Sequence, residues 1–126
     1  RNFHIFYQLC TGDGVSPALS QTLKLGGASA FNYTKVGAHV TVGYKPANSF
    51  QFTENALAQI GFQEAERTEI FKVTGAVLHM GNIKIQYDAN HHAVLPITDP
   101  DAMHAASLLG VEVKAMIDAM TVRNIQ

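Results

Sequence analysis

The sequence predicts a predominantly α-helical unit with short β-strands. Three observations carry that expectation: apolar residues recur at three- and four-residue spacing along most of the chain, several of these runs open on a capping residue and close on glycine, and two-residue alternation is confined to brief stretches. At 126 residues, 47% hydrophobic and 15% charged, the chain has the length of one domain and enough apolar surface for a core.

Phe3, Phe6, Tyr7 and Cys10 share one helix face, and Gly12 ends the pattern. Nothing ahead of them caps the helix, so it is predicted to begin before Arg1. Ser16 and Pro17 read as N-cap and first residue of a helix through Leu25, stopped by Gly26-Gly27. Residues 26–48 turn to small and polar types and read as a connecting region, in which Val36, Ala38, Val40 and Val42 alternate as a weak strand. Ser49 is placed to cap a helix carrying Phe50, Thr53, Leu57 and Ile60 along one side, with Gly61 as its stop.

The next helix is the centre of the sequence. It opens on Glu64, Glu66 and Glu69, which suit the positive end of a helix dipole, and it pairs Glu64 with Arg67 and Glu69 with Lys72. Beyond Lys72 it becomes apolar on nearly every face through Met80, the pattern of a helix entering an interior. Gly75 in mid-helix predicts a close neighbour, because glycine there costs about 1 kcal/mol relative to alanine. After Gly81-Asn82, Ile83, Ile85 and Tyr87 alternate as a half-buried strand, 88–92 forms a polar turn, and 93–95 pairs back. Asp99-Pro100 starts a helix with Met103, Ala106, Ser107 and Leu108 inward, closed by Gly110. A last helix spans Glu112 to Met120, and 121–126 reads as the start of an interrupted strand.

Function classes narrow by exclusion. Nine Lys plus Arg against ten Asp plus Glu leave no clustered cationic surface for nucleic acid. One cysteine excludes an internal disulfide and fits a reducing, cytoplasmic setting. No apolar run reaches the roughly 20 residues of a membrane span. The sequence lacks GxxxxGK[ST], GxGxxG, HExxH, GxSxG and an EF-hand loop. Asp88, His91 and His92, with His104 farther on, offer a metal-ligand set on paper, whereas a solvated polar turn is the preferred reading, because adjacent histidines on an extended segment point to opposite faces. His79 reads as a core histidine satisfied by a backbone carbonyl, and Cys10 as a small core residue.

Four segments carry a family resemblance. Arg1-Asn-Phe-His-Ile-Phe-Tyr-Gln-Leu9 resembles the RNxHIFYQ helix of the myosin motor head, Phe31-Asn-Tyr33 its F-x-Y-L element, Thr53 to Phe62 its T-x-x-A-L-x-x-I-G-F segment, and Val73 to Ile83 its LTGAVLHxGNI helix. The resemblance implies a fragment of an α/β P-loop NTPase head, 1–126 being one incomplete domain from the upper jaw of an actin-binding cleft. Its parent would be a cytoskeletal motor that couples hydrolysis of Mg-ATP to movement along actin. The fragment itself would bind no ATP and carry no catalytic residue; its partners would be the actin filament and the remainder of the motor domain. The surface loop 86–98, with Lys84 at its foot, falls where the family meets actin, and 121–125 resembles the start of a second actin-side strand. Lys84, His91, His92 and Arg123 are therefore the candidate actin contacts. Gln63 stands where the family has a Thr or Ser cap, which predicts a weaker helix start. The competing readings are a stand-alone helical interaction module and a small metal-binding protein built on Asp88, His91, His92 and His104.

Overall fold

A computed structural model describes residues 2–11, 14–38 and 49–122. In chain order these form helix α1 (His4–Thr11), helix α2 (Pro17–Leu23), a 3-10 turn (Ala28–Ala30), helix α3 (Ser49–Gln59), the long helix α4 (Glu64–Met80), strands β1 (Gln86–Tyr87) and β2 (Ala93–Val94), and helices α5 (Pro100–Leu109) and α6 (Val113–Thr121). The mainly helical architecture with a small amount of strand is the one expected.

Helix α4 is the axis of the fold. Helices α1, α2, α3 and α5 all pack on it, and α6 packs on α5. Phe71, Ala76 and Leu78 of α4 are buried, Phe71 lying against Phe50 of α3 with ring centroids 4.9 Å apart. Gly75 explains itself here: a Cβ on it would sit 3.0 Å from Leu23 Cδ2 and 3.6 Å from Leu108 Cδ1. Helices α2 and α5 thus converge on the same point of α4, and only the missing side chain lets them.

A second close approach fixes the segment after α2. The Tyr33 ring lies over Gly81, where a Cβ would come within 2.5 Å of it. Asn82 Oδ1 accepts from the Asn32 N–H at 2.9 Å, Asn82 Nδ2 donates to the Ala30 carbonyl at 2.9 Å, and Asn32 Nδ2 donates to the Gly81 carbonyl at 2.9 Å. The 30–33 segment is pinned to the end of α4 by side-chain amides that reach about fifty residues back along the chain.

Several expectations are corrected. Helix α1 begins at His4, with Asn2 outside it: the Asn2 backbone N–H donates to the Tyr7 hydroxyl and its side chain to the Tyr33 carbonyl. Phe3 is accordingly exposed. Helix α2 ends at Leu23 because Lys24 adopts a left-handed conformation, φ 46°. Residues 36–38 are turn, not strand, and 39–42, the rest of that expected strand, lie outside the described residues. Ile60 is exposed, so α3 buries Phe50 with Thr53 and Leu57 only partly covered. Arg67 does not pair with Glu64; it donates to the Phe62 carbonyl at 2.7 Å, while Lys72 and Glu69 do pair, at 2.8 Å. The apolar end of α4 is buried on one side only, Val73 and Val77 facing outward. The start of α4 is firmer than Gln63 suggested, since the Glu66 carboxylate reaches back to accept from the Gln63 N–H at 2.7 Å. In α5 the inward residues are Ala102, Ala105, Ala106 and Leu108, with Met103 and Ser107 outside. Thr121 ends α6, and 123–126 lie outside the described residues.

Candidate functional site

Between α4 and α5 the chain leaves the helical body as a hairpin. Gln86 pairs with Val94 and Tyr87 with Ala93 in an antiparallel ladder two residues long. The expected return of 93–95 therefore occurs. The strand is not half-buried, however: Ile85 is 60% and Tyr87 69% exposed among the described residues, so the alternation from Ile83 reflects only the burial of Ile83 itself.

Asp88 organises the tip. One carboxylate oxygen accepts from the N–H groups of Asn90 at 2.8 Å and His92 at 2.9 Å, and His92 Nδ1 lies 3.3 Å from the other. His91 takes a left-handed conformation, φ 61°, so that the chain can reverse. The backbone N–H of His92, followed by that of Asn90, holds the Asp88 carboxyl below its ordinary range. The sequence marked Asp88 as a possible metal ligand; the structure uses it as an anchor for the turn.

Asp99 closes the base. Its Oδ1 caps α5 by accepting from Asp101 N at 2.9 Å and Ala102 N at 3.1 Å, and its Oδ2 accepts from Lys84 N at 3.3 Å. One buried carboxylate thereby starts a helix and fastens both ends of a fifteen-residue excursion. Sequence reading recognised the first role from the Asp-Pro pair and missed the second, which no local pattern signals.

Lys84 therefore stands at the foot of the loop and His91 and His92 at its tip, all three exposed. Arg123 lies outside the described residues. His104 is not near the tip: it belongs to α5, with its ring centroid 4.8 Å from that of His79. Among the described residues no three His, Cys, Asp or Glu side chains are placed to hold a metal ion. This geometry separates His104 from Asp88, His91 and His92 and removes the basis of the metal-binding reading. Cys10 is buried, and burial pushes its thiol up to about 11, as a packed core residue requires.

The family model for the myosin head (motor domain) matches residues 1–126. The chain belongs to the myosin motor-domain family. It is 34% identical over 113 residues to unconventional myosin-Vc of Homo sapiens and 36% over 115 residues to unconventional myosin-Vb of Mus musculus, each match covering 89% of this chain and 6% of the relative. With Myosin-52 of Schizosaccharomyces pombe it shares 32% identity over 127 residues, 100% of this chain and 8% of that protein. The chain thus spans less than a tenth of the length of these relatives.

The motor-head motifs coincide with the contacts that hold the fold. The first supplies most of α1, from His4 to Leu9; the Phe31-Asn-Tyr33 element supplies the ring over Gly81 and the amide that reaches its carbonyl; the Thr53 to Phe62 segment forms most of α3 and its turn; and the Val73 to Ile83 motif supplies Gly75, His79, Gly81 and Asn82. A depression of about 750 Å³ at the start of α4 is lined by Gln63, Glu64, Ala65, Glu66, Thr68 and Glu69, so that three carboxylates make it acidic.

Proposed function

We propose that this chain is part of the head of an actin-based, ATP-driven cytoskeletal motor, in which it scaffolds the actin-binding cleft and presents the 84–98 loop to the filament. The family match over all 126 residues carries the motor reading. The α/β P-loop fold and the segments that would hold Mg-ATP belong to other parts of the parent, which would act in the cytoplasm on the actin cytoskeleton.

The loop's construction supports the contact role. It projects from a rigid joint, its base is closed by Asp99, and its polar tip is ordered by Asp88. Loops held this way are usual carriers of binding function. Lys84, His91 and His92 would face acidic filament surface, with Arg123 joining them on the strength of its motif. One lysine and two histidines make a peripheral, salt-sensitive attachment.

The test is co-sedimentation with filamentous actin of the motor domain that carries this segment, comparing the unsubstituted protein with Lys84→Glu and His92→Glu. Each added carboxylate should weaken binding several-fold at low salt, with the difference shrinking as salt rises. Unchanged affinity at every salt concentration would remove the loop from the actin interface.

A further inference from the structure

His79 is 5% exposed, and both of its ring nitrogens face acceptors. Nε2–H donates to the Leu23 carbonyl at 3.0 Å, and Nδ1 lies 2.7 Å from Asp101 Oδ1. A contact that short between a ring nitrogen and a carboxylate oxygen is a hydrogen bond with the proton between them. The carbonyl that His79 engages is the one exposed where Lys24 turns left-handed and ends α2. Three helices meet at this ring: α4 supplies it, α2 its carbonyl partner and α5 its carboxylate partner. A fourth group completes the cluster. The His104 ring of α5 lies 4.8 Å from the His79 ring, inclined by 59°, while Phe31 meets the His79 ring edge to face at 5.4 Å.

We propose that His79, Asp101 and His104 form a proton-responsive clasp joining α4 to α5 and to the end of α2, closed while His104 is neutral and loosened when His104 takes up a proton. The reasoning is electrostatic. The hydrogen bond from His79 already occupies Asp101, and a proton taken up by His104 would place positive charge 4.8 Å from the His79 ring in a partly dry setting. The charged and titratable groups around the cluster act in concert. Burial is the main influence holding the His104 ring below the ordinary histidine value of 6.5; the charges of His79 and Lys24 add to it, and Asp101 opposes them. Beyond Phe31, Cys10 of α1 stays a neutral thiol, its pKa raised to about 11. Asp99 is committed to three backbone N–H groups, and Lys114 and Asp118 of α6 pair with each other.

The sign follows from linkage. With the folded-state value of His104 below its unfolded value, the unfolded chain binds more protons as the pH drops under about 6.5, so acid opens the clasp and neutral pH closes it. Because Asp99 caps α5 and also holds Lys84 N, opening also releases the base of the 84–98 loop. This holds whether or not that loop touches actin.

The experiment uses the motor domain that carries this segment, with two mass-spectrometric readouts: exchange of the histidine C2 hydrogen, which reports the protonation of each ring in its own peptide, and amide exchange over 100–109, corrected for its intrinsic pH dependence. His104 should titrate below the ordinary histidine range, and 100–109 should lose protection in step with it. Lys24→Gln, a surface change, should move the His104 midpoint upward while protection at neutral pH persists. His104→Gln should abolish the acid-dependent loss of protection. An ordinary His104 midpoint, or an acid step that survives His104→Gln, overturns the clasp.

Discussion

The joint between α4, α5 and the end of α2 and the hairpin that leaves it are built by opposite means. At the joint, partners come from far along the chain: Leu23 reaches Gly75 and His79, and Asp101 reaches His79 across twenty-two residues. In the hairpin, Asp88 binds only residues two to four positions ahead, and the ladder is two residues long. Cooperative packing therefore stabilises the joint, whereas local hydrogen bonds shape the loop without adding much to global stability. A chain divided this way can vary its loop while keeping its scaffold.

The sharpest way to break that contrast is to open the joint. Leu108→Ala removes a side chain that is 4% exposed and meets Gly75, and it should cost about 2–5 kcal/mol, read as a lower urea midpoint. A loss below 1 kcal/mol would mean that α5 is not part of the cooperative core. Next in size is Gly81→Ala. The added methyl must displace the Tyr33 ring, which predicts a loss of about 1–3 kcal/mol and faster amide exchange at 30–35.

The boundary between the two regions is tested at Asp99. Asp99→Ala removes the cap of α5 and the tie to Lys84, and it should cost about 1 kcal/mol while exposing the Lys84 amide to exchange. Normal protection at Lys84 would show that the base closes by other means. The smallest effect belongs to the tip. Because its carboxyl is held below the ordinary value of 3.8, Asp88 contributes order that is fully present above that pH and is lost only as the pH falls through the lowered value. The Asp88 carboxyl carbon shift and the Asn90 amide shift should therefore change together only below pH 3.8, and an Asp88 midpoint at or above that value would contradict the turn.

The same division decided what the sequence could tell. Ser16 and Asp99 as caps, Gly75 as a close-packing site, the Glu69 to Lys72 pair and the pairing of 93–94 back onto 86–87 were legible because each is set by near neighbours or by the steric demand of one residue. The inward face of α5 was not. Hydrophobicity favours Met103, yet α5 meets α4 through the small Ala102, Ala105 and Ala106 and through Leu108 at Gly75, and Met103 is 53% exposed. Periodicity also extended α2 through Leu25, whereas the helix stops earlier, at the carbonyl that His79 engages from fifty-six residues away. Of the candidate site, the polar turn at 88–92 was legible from its composition. The Asp99 closure and the joining of His79 to Asp101 were not, since neither leaves a mark in local spacing.

The fastening of Lys84 to Asp99 has a practical consequence for the loop's length. With both feet held by one carboxylate, the chain between them is a closed ring as far as the helices are concerned, and doubling a flexible ring costs only about 0.6 kcal/mol in closure entropy. Residues could be inserted between Asn90 and His91 with α4 and α5 undisturbed, which makes this hairpin a natural graft point for a foreign epitope or a spectroscopic reporter.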